Sequence, residues 1–189
     1  MGIPTLIATL TASGDSSLAD TSSMTSTYDE YMFVFTDIGP ATDSVEFQFQ
    51  VNASAQSGYN ETMTTTFFET YHQESGGDAN IGYRAASDQA QGTAHQQLAY
   101  DLENDADGSC AGILHLFTPS NTTYVTHFYS RFSAMHTQPM SSELFAAGYI
   151  NVTAAIDEIS FAMSSGNFDG VIQMYGICLL YTSPSPRDS

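Results

Sequence analysis

Hard oxygen ligands are the first chemistry this chain offers. Residues 101–108 read DLENDADG, setting Asp101, Glu103, Asp105 and Asp107 at alternate positions ahead of a glycine. Calcium needs several such oxygens converging on one point, and an acidic-x-acidic-x-acidic-Gly stretch can supply them. The pattern departs from a helix-loop-helix calcium site, because Glu103 stands where Asp is expected and Leu114 where a bidentate Glu belongs. A solvated acidic turn is the plainer reading, and calcium is the one cofactor the sequence suggests. Five histidines, His72, His95, His115, His127 and His136, raise a second metal question. They show neither HxH nor HExxH spacing. A hairpin closed symmetrically around TPSNTT would set His127 opposite Leu114 and His115 opposite Thr126, on opposite faces of a sheet. These histidines are therefore not expected to share an ion.

A softer chemistry lies in the tyrosines. Tyr59, Tyr71, Tyr83 and Tyr100, with Tyr129 further on, have Asn and Gln close by in sequence. Aromatic rings stack on sugar faces while amides hydrogen-bond to hydroxyls, so these residues are candidates for a glycan-facing surface. Packing at sheet rims or a subunit interface explains the same tyrosines equally well. Catalysis has little support: there is no G-x-S-x-G turn. Gly76, Gly77 and Gly82 do not make a phosphate-cradling pattern. Paired carboxylates could cleave a glycosidic bond, but spacing does not select two from so many acids. Cys110, in GSCAG without a basic neighbour, reads as a small core residue. The Asn-x-Ser/Thr triplets at Asn52, Asn60, Asn121 and Asn151 are what a Ser/Thr-rich chain produces by chance. No enzyme is expected.

The elements that must carry these residues are strands. In residues 45–52, Val45, Phe47, Phe49 and Val51 alternate with Glu46, Gln48, Gln50 and Asn52. A period of two assigns the first set to a core and the second to water. Tyr31 to Ile38 is apolar at most positions, as in a strand covered on both sides. Asp37, Gly39, Pro40 and Asp43 supply the turn between the two. Further strands are expected over 6–12, 62–72, 81–84, 113–117, 124–132, 144–152, 156–163 and 171–177. Residues 90–102 alone have some helical flavour. Nine or ten short strands with regular turns predict an all-β fold, an antiparallel β-sandwich of jelly-roll-like type.

Residues 178–189, CLLYTSPSPRDS, break from this composition. Cys178 to Asp188 resembles a translation of the transposase adapter used in preparing sequencing libraries, so the segment is set aside from fold reasoning. Residues 1–177 are then expected to form one domain, ending near Ile177. Cys110 remains as a single cysteine, and no internal disulfide is available.

The chain has no lysine, three arginines and 21 acidic residues, for a formal charge of -18. Setting aside Arg187 and Asp188 leaves that charge unchanged. Such a surface repels nucleic acid and anionic lipid. It is best tolerated where salt shortens the range of repulsion, as in a saline setting. The N-terminus MGIPTLIATLTAS lacks a basic region and a long apolar run, so neither a signal peptide nor a transmembrane segment is expected.

Several stretches together resemble a group of bacteriophage virion proteins common in marine viral sequences. They are STYDEYMFVFTDIGPATDSVEFQFQVN, GYNETMTTTFF, DQAQGTAHQQL, NDADGSCAGILHLFTPSNTTYVTHFYS and AAGYINVTAAIDEISFAMSSGNFDGVIQMYGI. The resemblance runs from about Leu6 to Ile177. It implies a tail-fibre or tail-associated host-recognition module located in the virion. Other virion proteins, and a host surface glycan, would be its partners. Fibre modules usually trimerise, so a homo-oligomer, and a trimer first, is expected. A capsid decoration or cement protein is the alternative, and a tail-associated polysaccharide-degrading enzyme the third. The group carries over no catalytic residues.

Overall fold

The structure is a computed structural model that describes residues 3–178. Apart from Cys178, the adapter-like segment lies outside the described residues. Thirteen strands run in chain order. The first seven are β1 (Thr5–Asp15), β2 (Ser17–Asp20), β3 (Glu30–Pro40), β4 (Val45–Ala53), β5 (Met63–Gln73), β6 (Ala79–Tyr83) and β7 (Ala90–Gly92). The rest are β8 (Gln96–Leu102), β9 (Cys110–Phe117), β10 (Thr126–Met135), β11 (Met140–Ile150), β12 (Ile156–Met163) and β13 (Phe168–Ile177). Among the described residues there is no helix. They form two antiparallel sheets. The larger has nine strands in the order β1-β13-β3-β9-β10-β11-β5-β6, with β7 beside β5, and the smaller is β2-β12-β4-β8. The fold is an all-β sandwich. A nine-plus-four division is not the pair of four-stranded sheets of a jelly roll, so the winding expected from sequence does not follow from the strand order.

The core is aromatic because the inward positions of facing strands are. Phe33 and Phe35 of β3, Phe47 of β4, Phe132 of β10 and Phe161 of β12 are almost wholly buried. Phe35 holds the centre, with ring centroids 5.0 Å from Phe132, 5.1 Å from Phe161 and 5.6 Å from Phe47. Such tilted and edge-on pairs are worth about 0.5–1.5 kcal/mol each beyond their buried area. Gly112 of β9 makes room for this cluster. It pairs with Phe35 on one side and Phe132 on the other. A Cβ there would lie 2.5 Å from both the Arg131 carbonyl oxygen and the Phe132 ring.

Four sequence expectations are corrected. Residues 90–102 are not helical: they form β7 and β8, and β8 pairs with β4 along its length. Together with β2 they raise the strand number to thirteen. The strand at Tyr31 to Ile38 is interior to its sheet yet covered on one face alone. Tyr31, Phe33 and Phe35 are buried while Met32 and Val34 remain half-exposed. On β4 the polar set is not all in water, since Gln50 and Asn52 are buried. The Gln50 amide donates to the carbonyls of Glu61 and Ala94 at 2.9 and 3.1 Å, pinning two covering segments. Asn52 accepts from the Tyr59 N–H at 2.7 Å and donates to Glu158. Finally, the β9–β10 loop is not symmetrical. Thr118 takes a positive φ of 46° and its N–H donates to the Asp29 carbonyl, while the Pro119 carbonyl accepts from Ile156 N–H. β9 ends at Phe117 as expected but β10 begins only at Thr126, so His127 pairs with Phe117 and His115 with Tyr129. The two histidines share a face after all.

Candidate functional site

A polar concavity that holds three of the residues singled out by sequence, Tyr71, Tyr100 and Asp101, lies between the end of β5 and β8, the edge strand of the smaller sheet. Alternation along β5 turns Glu69, Tyr71 and Gln73 to the same side as Phe67, but beyond the aromatic core they meet polar groups. Opposite them stand Tyr100 and Asp101 at the end of β8, with Arg84, Asp78, Gln138 and Met140 completing the walls of a hollow of about 370 Å³. That volume is at the small end of the range of about 300–1,000 Å³ typical of small-molecule sites.

Its floor is a tightly bonded cluster. The Tyr100 hydroxyl donates to the Glu69 carboxylate. The Arg84 guanidinium lies 3.5 Å from the centre of the Tyr100 ring and 3.9 Å from Glu69. Its Nε–H donates to Ser87 Oγ at 3.1 Å. Burial raises the Glu69 carboxyl above its usual value, and the Arg84 charge pulls it partway back. At the rim, the Tyr71 hydroxyl donates to Asp78 at 3.0 Å, a bond that raises the phenol. Asp101 adopts the left-handed backbone region at φ 51°, a strained conformation that an Asp tolerates better than most residues. Its carboxylate stands 3.8 Å from His136 Nδ1. His136 is fully buried, edge-on to Tyr100 at 4.8 Å, and neither ring nitrogen makes a hydrogen bond. Burial, the largest influence, lowers its pKa.

The hollow therefore offers guanidinium and amide donors beside carboxylate acceptors, with tyrosine rings between them. This suits a ligand bearing several hydroxyls. Sequence reasoning placed Tyr71, Tyr100 and Asp101 on its candidate surfaces and weighed His136 only as a metal ligand, but missed Glu69, Asp78 and Arg84. Arg84 had one signal, being one of two arginines before the adapter-like segment in a chain without lysine.

The remaining candidates lie elsewhere. Tyr83 sits opposite Phe68 on the outer side of the larger sheet and bonds Asp88. Tyr59 lies over β4, with Glu158 and Asp20 contributing to its raised phenol after burial. The four tyrosines thus do not form one glycan-facing surface. The four acids of the calcium reading also separate. Asp101 faces the Arg84 hollow, whereas Asp105 and Asp107 line another concavity with Asp37 and Asp169. Glu103 is raised first by burial and then by its acidic neighbours Asp105 and Asp107. Among the described residues no three His, Cys, Asp or Glu side chains are placed to hold one ion. Cys110 is buried and its thiol pushed up to about 12, which leaves it inert as a nucleophile. No helix among the described residues is long and apolar enough to cross a membrane. No protein-family model matches the chain, and no curated protein is similar to it.

Proposed function

We propose that this chain is a bacteriophage virion module of the tail-fibre or tail-associated kind, and that its Arg84 hollow binds a host surface glycan. The observation that carries the glycan reading is the convergence of Glu69, Tyr71, Arg84, Tyr100 and Asp101 in one small open hollow. The resemblance across residues 6–177 supports the virion assignment, and a rigid, strand-built, strongly acidic scaffold suits an external particle protein. No group here is assigned a catalytic role; the hollow binds and does not react.

The test is titration calorimetry of the purified chain against oligosaccharides released from host envelopes. Arg84→Ala removes a charged donor and lowers affinity at least about ten-fold, since hydrogen bonds to charged groups are worth about 1.5–3 kcal/mol. Tyr71→Ala, at a half-exposed position where folding is not at risk, also weakens binding. Absence of glycan binding, or equal binding by wild type and both variants, would refute the reading. Immunogold labelling of purified particles separates tail from head, and a head location would favour the decoration protein instead.

A further inference from the structure

The outer face of the nine-stranded sheet departs from the rest of the surface. On β3 through Thr36, β9, β10, β11 and β5, the outward side chains include two carboxylates, Glu30 and Glu143, from a chain with 21 acids. Both are already paired, Glu30 with His115 and Glu143 with Arg131. In place of charge the face carries rings. Phe68 and Phe145 stack at 4.6 Å and 8°, Tyr129 lies on His115 at 4.6 Å, and Phe117 lies 5.6 Å from Tyr129. Seven large hydrophobic side chains are exposed among the described residues. Two of them, Phe68 and Tyr129, lie on these strands, while Ile81 and Tyr83 on β6 and Leu6 on β1 project from the same side at the two ends of the sheet. Phe145, Phe68 and Tyr83 lie side by side across β11, β5 and β6, and exposed apolar patches of this kind mark contact surfaces.

We propose that this face docks a second copy of the same chain, large sheet against large sheet about a two-fold axis, making a four-layered dimer. Two arguments choose the occupant. The first is charge. A basic partner would settle on the surfaces that hold nearly all the acids, whereas a second copy, itself at -18, is repelled everywhere except where the acids are missing. The second is area. Five strands about 4.8 Å apart and about ten residues long give a face of roughly 24 by 33 Å. That is roughly 800 Å², the share each partner contributes to a stable interface of ordinary size. A face that pairs with itself closes after two copies, while a trimer needs two different surfaces. The dimer is thus favoured over the trimer expected of fibre modules.

The proposal does not depend on glycan binding. It is tested by size-exclusion chromatography with light scattering, in dilute buffer and in roughly 1 M salt, where the screening length falls to about 3 Å. The expected mass is twice the 20.4 kDa of the chain, with the dimer strengthened by salt because repulsion between copies is screened. Phe68→Glu and Tyr129→Glu, at positions 41% and 44% exposed, each weaken association about thirty-fold, the loss expected of an interface anchor. Should these fail to fold, Phe68→Ser with Tyr129→Ser gives a milder form of the same test. Gln48→Glu, on the outer side of the smaller sheet, leaves the dimer intact. A monomer in both buffers, a trimer, or a dimer indifferent to the Phe68 and Tyr129 substitutions would overturn the proposal. Glycan affinity measured on the Phe68→Glu, Tyr129→Glu monomer reports on the Arg84 hollow alone.

Discussion

His136 is the residue whose burial has the clearest consequence. Its ring is fully enclosed without a hydrogen bond, and burial holds its pKa below the usual 6.5. The unfolded chain therefore takes up a proton first as pH falls. The stability this neutral ring contributes is complete above pH 6.5 and drains away from 6.5 down towards the lowered folded value. His95, also lowered by burial, acts in the same direction. Urea midpoints are expected to fall between pH 7.5 and 5.5, and His136→Leu to flatten that slope without loss at pH 7.5. An unchanged slope in the variant would show that His136 is not its source. At this scale the sequence was half legible. Tyr71, Tyr100 and Asp101 stand out by type, but Glu69 and His136 become significant only because β5 and the β10–β11 turn bring them to the end of β8, where Glu69 meets the Tyr100 hydroxyl and His136 the Tyr100 ring. Gln50 shows the same limit. Alternation marked it as wet, and no local signal reveals the two carbonyls that reach it from residues 61 and 94.

At the scale of elements, period-two patterning carried most of the information. It located β4, β10 and β13 because each turns one face to the core. It missed β8, whose buried Gln96, Leu98, Ala99 and Tyr100 break the alternation through register shifts against β4. It also misjudged the β9–β10 register, because the loop is anchored by long-range bonds from Thr118 and Pro119 that nothing in TPSNTT announces. The contact of β9 with its neighbours yields a sharp prediction. Gly112→Ala puts a methyl group into the backbone carbonyl of Arg131 on the neighbouring strand and into the Phe132 ring, which is packed against Phe35. Overpacking of this kind costs about 1–3 kcal/mol. Chemical denaturation should show a lower midpoint at unchanged slope, and a variant as stable as wild type would mean that β9 and β10 can separate slightly without loss. Gly82, around which nothing lies within 4 Å, is the matched control.

For the whole molecule the governing quantity is charge. Twenty-one acids face three arginines and no lysine, and apart from Glu30 and Glu143 the acids are kept off the middle of one broad face. Folding gathers these charges closer than the unfolded chain does, so repulsion destabilises the compact state and salt relieves it. The melting temperature should therefore climb steadily with sodium chloride, by about 2–4 °C for each kcal/mol recovered in a chain of this length. Dimer formation would add to the same trend, since association also strengthens with salt and raises apparent stability by mass action. The monomeric Phe68→Glu, Tyr129→Glu variant divides the two effects. Its melting temperature should still rise with salt, now independently of protein concentration, while the wild type gains an additional concentration-dependent part. A flat response in the variant would mean that the acids are spaced widely enough to ignore one another, and the saline setting read from composition would lose its physical basis.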